Sequence, residues 1–186
     1  MKPLRLLLTF LITVTLNSCS AEDPLPTSGE NSFFAKLNGK RYVAENTTSF
    51  PARTHYGIEA SVYENNWLLT FHNSSNDNIY IYIYKVNDIG IYPLGRSDGD
   101  LVYFLESDNE TSVSISDGTG SFFGVAFTSG YSSDEEFIKI TQLNTTSIIG
   151  EFDKITLTDP ENPDNKTILT DGKFNINTNT LNQPEP

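Results

Sequence analysis

Residues Ile79 to Val86 read Ile-Tyr-Ile-Tyr-Ile-Tyr-Lys-Val. A helix would scatter the two residue classes around its axis. A strand puts Ile79, Ile81 and Ile83 on one face and Tyr80, Tyr82 and Tyr84 on the other. The stretch therefore requires a strand with an apolar face to bury, and so it requires neighbouring strands. Trp67 to Phe71 is the nearest candidate, across the loop-forming Asn73-Ser74-Ser75-Asn76-Asp77-Asn78. Two registers suit this hairpin. A symmetric six-residue loop sets Phe71, Leu69 and Trp67 opposite Tyr80, Tyr82 and Tyr84. A slip of one residue sets them opposite the isoleucines instead.

The rest of the chain repeats this grammar. Phe33 to Leu37 and Lys40 to Ala44 flank Asn38-Gly39, whose residue types supply the two positive-φ positions of a type I′ hairpin. Further strands are expected over Gly57 to Tyr63, Leu101 to Glu106, Ser112 to Ser116 and Phe122 to Phe127. Others follow over Phe137 to Leu143, Ser147 to Phe152 with Lys154 to Leu157 as its continuation beyond Asp153, Lys166 to Leu169 and Gly172 to Ile176. Ile89 to Gly95 reads as a short extended piece ending in a turn, and Asp159 to Asn165 as a solvated loop. No window carries a sustained helical period with caps. Short strands separated by Gly, Asn, Asp and Pro imply an all-β fold, an antiparallel β-sandwich by preference and a β-barrel as the alternative.

The first eighteen residues stand apart. Lys2 and Arg5 precede an apolar run from Leu6 to Leu16. The run is shorter than the roughly 20 residues needed to cross a bilayer, so the segment reads as a secretory leader and is left out of the fold. Leu16-Asn17-Ser18-Cys19 resembles the lipobox at which bacterial lipoproteins are cleaved and lipidated. That resemblance implies that Cys19 becomes the first mature residue and ties the protein to the membrane through lipid. As the chain's single cysteine, it has no intramolecular disulfide partner. Residues 19–31 then read as a flexible tether, 32–177 as the all-β domain and 178–186 as a polar tail. Ser20-Ala21-Glu22-Asp23 resembles the acidic export signal of Bacteroidota lipoproteins. It implies an outer-membrane location, with the cell surface favoured over the periplasmic face.

Without the leader the chain carries two fewer positive charges than the whole, so the net charge of −12 becomes −14. Such a surface repels nucleic acid, which is excluded as a partner. Several short motifs together resemble uncharacterised lipoproteins of Bacteroidota. They are Phe33-Phe34-Ala35-Lys36-Leu37-Asn38-Gly39-Lys40, Gly90 to Leu94, Ile148-Ile149-Gly150-Glu151-Phe152 and Gly172-Lys173-Phe174. The resemblance implies a β-rich envelope domain and brings no activity with it.

Catalytic patterns are weak. Gly95-Arg96-Ser97-Asp98-Gly99 has the nucleophile-elbow spacing, but a strand rather than a helix is expected after it, and both histidines, His55 and His72, precede it. Neither histidine has a ligand at zinc spacing. The acidic groups Asp98/Asp100, Asp108/Glu110, Asp134/Glu135/Glu136 and Asp159/Glu161/Asp164 lack an EF-hand spacing, so calcium is a minor expectation and no other cofactor is implied. The expectation is a non-enzymatic module that binds glycan or protein, through a platform of Tyr80, Tyr82 and Tyr84 with Trp67 beside them. The alternatives are an accessory subunit of an envelope complex or a carboxylate-dependent hydrolase.

Overall fold

The computed structural model describes residues 31–49, 53–75, 77–96, 110–116, 127–132 and 134–181. Asn38 and Gly39 take φ values of 50° and 78°, which makes the turn between β1 (Ser32–Leu37) and β2 (Lys40–Tyr42) the expected type I′. A small separate hairpin follows, β3 (Thr47–Ser49) with β4 (Arg53–His55), which had no counterpart in the sequence reading. Glu64 and Asn65, at φ 47° and 67°, make a second positive-φ turn between β5 (Ile58–Tyr63) and β6 (Asn66–Phe71). The alternating stretch forms β7 (Asn78–Ile83), and β8 is Gly90–Pro93. Then come β9 (Ser112–Ser116), β10 (Phe127–Thr128) and β11 (Phe137–Leu143). The last two strands are long and unbroken: β12 (Ser147–Thr158) and β13 (Lys166–Asn177). In β12 the strand continues over Lys154 to Leu157 as expected, while β13 joins two segments expected as separate strands. The expected strand at 101–106, and all but the end of the one at 122–127, lie outside the described residues.

Among the described residues eleven strands pair antiparallel in one sheet, in the order β2-β1-β13-β12-β10-β9-β7-β6-β5, with β11 branching from β12 and β8 pairing with β11. No helix occurs among the described residues. The all-β, antiparallel class is as expected. Of the two layouts, the curled single sheet is a half-barrel, closer to the alternative than to two stacked sheets.

The register of β6 and β7 answers the question left open above. Trp67 pairs with Ile83, Leu69 with Ile81 and Phe71 with Ile79. The one-residue slip is therefore the real arrangement. It puts both apolar sets on one face, where all six are at most 2% exposed. The other register would have set Trp67, Leu69 and Phe71 on the tyrosine face and left Leu68 and Thr70 beside the isoleucines. Asn73 closes the shortened loop by accepting the N–H groups of Ser75 (3.0 Å) and Asp77 (2.9 Å).

The apolar face continues across the curl through Val113, Ile115, Ile155, Leu157, Leu169, Phe174 and Ile176. Two glycines are built into it. Gly150 pairs with Phe174, and Phe152 pairs with Gly172. Each ring lies where a Cβ on the facing glycine would stand. The Ile148-x-Gly-x-Phe152 and Gly172-x-Phe174 motifs are thus two halves of one reciprocal contact.

The described domain reaches slightly past 32–177. Asn31 accepts the N–H of Asn177 at 2.7 Å, and Leu181 returns its N–H to the Asn177 carbonyl at 2.9 Å while packing against the core.

Candidate functional site

The four rings proposed as a platform do not share a face. Trp67 lies in the core, on the opposite side of the sheet from the tyrosines, and is 2% exposed. Tyr82 is on the tyrosine face but is itself 1% exposed. The platform expected from the sequence is therefore corrected: the pleat separates Trp67 from the tyrosines, and burial withdraws Tyr82. Tyr80 and Tyr84 remain half-buried, and the structure takes them to two different places.

Tyr84 follows β7 and lines an open groove of about 380 Å³ with Tyr92, Pro93, Leu94, Gly95, Glu110 and Thr111. The groove forms where the end of β7, the end of β8 and the start of β9 meet. Several backbone bonds fix it. The Tyr84 N–H donates to Thr111 Oγ1 (3.1 Å), and the Gly95 N–H donates to the Thr111 carbonyl (2.8 Å). Leu94 and Thr111 form a parallel bridge. The Tyr92 hydroxyl donates to the Asp88 carbonyl at 2.7 Å, which holds the ring in place. Lys85 hydrogen-bonds Tyr84, and its ammonium lies 4.8 Å from the ring centroid.

Glu110 is seated in this groove by its neighbours. Its Oε2 accepts the N–H of Arg96 at 3.0 Å. Gly95 makes room for it, since a Cβ there would run into the Glu110 side chain. Gly130, at φ 88°, lies against the backbone of Arg96 on the same segment, and the Arg96 guanidinium stacks 4.4 Å over Tyr131. Gly95 thus has a packing reason, whatever the Gly-x-Ser-x-Gly spacing suggests; Ser97, Asp98 and Gly99 lie outside the described residues.

Tyr80 belongs to a second polar group. Directly paired residues carry its row across the sheet as Glu59, Thr70, Tyr80, Ser114, Thr128 and Thr158. Beside Tyr80, His72 Nδ1 meets Asn78 Oδ1 at 2.9 Å, and Nε2 faces Glu59 Oε1 at 3.8 Å, an ion-pair distance rather than a hydrogen bond. Burial pulls the His72 imidazole down, but Glu59 and Asn78 outweigh it and the net shift is upward. Burial, with help from Glu59, pushes the Tyr80 phenol above its ordinary range, while Asn78 works against that shift. The cluster is well tied, and His72 is 8% exposed, so it offers little access to a ligand.

The acidic groups are mostly engaged in local structure. Asp159 Oδ1 accepts the N–H groups of Glu161 (2.9 Å) and Asn162 (3.2 Å), an Asx turn. Glu136 accepts the N–H of Thr156 (2.9 Å), and Asp134 faces Lys154 at 3.7 Å. Among the described residues no three His, Cys, Asp or Glu side chains gather as metal ligands. Cys19, with the leader, lies outside the described residues.

Sequence reasoning placed Tyr84 in the tyrosine platform, Gly95 in the elbow spacing and Glu110 in an acidic pair, but it did not single out Tyr92 or bring the four together. Three separate elements bring these residues together, and no local spacing signals it. In comparisons with known proteins, no family model, no curated protein and no solved structure matches this chain.

Proposed function

We propose that this protein is a lipid-anchored, non-enzymatic binding module of the bacterial envelope, held by Cys19 at the outer membrane and presenting its β domain to glycan or protein at the end of a short tether. The groove carries the binding half of this reading. Two tyrosine rings and a carboxylate held by backbone surround an open space near the lower end of small-ligand sites, which span roughly 300–1,000 Å³. The Leu16-to-Cys19 motif behind an apolar leader supports the anchoring half. A thioether-linked diacylglycerol plus an amide-linked acyl chain provides durable attachment at about 0.8 kcal/mol per buried methylene.

The test uses the full chain expressed in a bacterial host with an alkyne-tagged fatty acid. The wild type is expected to take up label and to sediment with the outer membrane. Cys19→Ala is expected to lose the label and appear in the soluble fraction. Label that survives this substitution refutes the anchor. Retention of the soluble Cys19→Ala protein on isolated envelopes is expected to fall in a Tyr84→Ala/Tyr92→Ala background; unchanged retention refutes the groove as the binding surface.

A further inference from the structure

We infer that the groove takes a non-anionic saccharide, with Tyr84 and Tyr92 as its stacking surfaces and Glu110 as the acceptor for sugar hydroxyls or an amino group. The inference rests on the binding reading above and narrows it to a ligand class. A pyranose ring has an apolar C–H face and a polar rim, and these three groups match both. Tyr84 and Tyr92 offer amphipathic surface; the Tyr92 ring is held through its hydroxyl on the Asp88 carbonyl, and the Lys85 ammonium lies 4.8 Å from the Tyr84 ring centroid. Glu110 uses Oε2 to hold the Arg96 N–H, while Oε1 has no protein partner among the described residues. A carboxylate pinned on one oxygen and, among the described residues, open on the other can accept a hydroxyl or an ammonium at little ordering cost. Thr111 Oγ1 already accepts the Tyr84 N–H and retains its own O–H to donate.

The same carboxylate argues against uronates. A ligand carboxylate at this point would face Glu110 in a chain whose net charge is already −12, and Lys85 is engaged with Tyr84. Gly95 is a positioning residue: any side chain there displaces Glu110 from the Arg96 N–H.

The experiment is saturation-transfer NMR and calorimetry on the Cys19→Ala protein. The probes are three disaccharide sets, made of neutral hexoses, amino sugars and uronates. Neutral or amino sugars are expected to bind, and uronates are not. Tyr84→Ala and Tyr92→Ala should each weaken binding by roughly tenfold. Glu110→Gln should weaken amino sugars most, and Gly95→Ala should mimic it while leaving the far-UV spectrum unchanged. Tyr56→Ala, an exposed tyrosine elsewhere, should bind like the wild type. The inference is overturned if no saccharide binds, if uronates bind best, or if the two tyrosine variants bind normally. Groove-dependent retention on envelopes without saccharide binding would overturn this inference alone and leave the wider binding reading standing.

Discussion

His72 is caught between β5, β7 and the segment after β2. Its N–H donates to the Gly57 carbonyl (2.9 Å), its carbonyl accepts the Glu45 N–H (2.8 Å), and its ring faces Asn78 on one side and Glu59 on the other. The net upward shift of the imidazole means that the folded protein holds the proton more tightly than the unfolded chain. The stability this confers is fully present below about pH 6.5, the ordinary histidine value, and is lost as pH rises through the folded-state value. Urea midpoints measured from pH 5 to 9 should therefore fall across that window. His72→Gln should remove the slope, and a slope unchanged by that substitution would show that another group titrates. A second residue-level expectation concerns Glu64, which sits at φ 47° where turns of this type favour Asn or Gly. Glu64→Asn should raise stability by about 0.5–1 kcal/mol, visible as an increase in Tm of a few degrees. A decrease would mean that the Glu64 side chain contributes more than its backbone strain costs.

At the scale of elements, β12 and β13 are joined by a reciprocal exchange of ring and void. Phe152→Ala should cost about 3–5 kcal/mol, as for other buried aromatics. Gly172→Ala should cost about 1–3 kcal/mol, because the Phe152 ring has to move. In the double variant the methyl enters space that the ring has vacated, so Gly172→Ala should become nearly silent on the Phe152→Ala background. Simple additivity in chemical denaturation would refute the ring-over-glycine contact. The sequence made both halves of this exchange visible as motifs, yet gave no sign that they face each other. The same limit applies to β6 and β7. Alternation reveals which residues share a face within one strand, because the pleat is local. Pairing between strands depends on which faces a distant core must cover, and Asn73 allows a loop shorter than the symmetric one. That is why Trp67 was placed with the tyrosines and belongs with the isoleucines. The groove was still less legible: Tyr84, Tyr92 and Glu110 come from three separate elements, which meet through the Leu94–Thr111 bridge and the Tyr84 and Gly95 N–H bonds to Thr111.

For the whole molecule, the decisive question is what keeps an eleven-stranded curled sheet from opening. Its two flanks meet at a seam built around Tyr42, Phe71 and His72. The Tyr42 hydroxyl donates to the Phe71 carbonyl (2.6 Å) and lies 2.8 Å from the Asp77 carbonyl, so β2 is fastened to the turn between β6 and β7. Burial, with Asp77 and Tyr80 adding to it, pushes this phenol far above its ordinary range and keeps it a neutral donor at any working pH. Phe33 stacks on Phe71 at 3.7 Å between centroids and meets the Tyr42 ring edge-on at 5.7 Å. The Glu45-to-His72 and His72-to-Gly57 bonds continue the seam, and Gly57 packs so closely on the Glu45 backbone that a Cβ there would clash. Tyr42→Phe keeps the ring and removes only the hydroxyl, stranding carbonyls that are shielded from water at a cost of about 1–3 kcal/mol. If the seam closes the half-barrel, the loss should be local before it is global. Native-state hydrogen exchange should speed up at the Glu45 and His72 amides in Tyr42→Phe, while amides in the middle of β12 and β13 keep exchanging only through full unfolding. Equal acceleration across all of these amides would mean that the curl is held by the long strands alone and that the seam follows rather than fixes it.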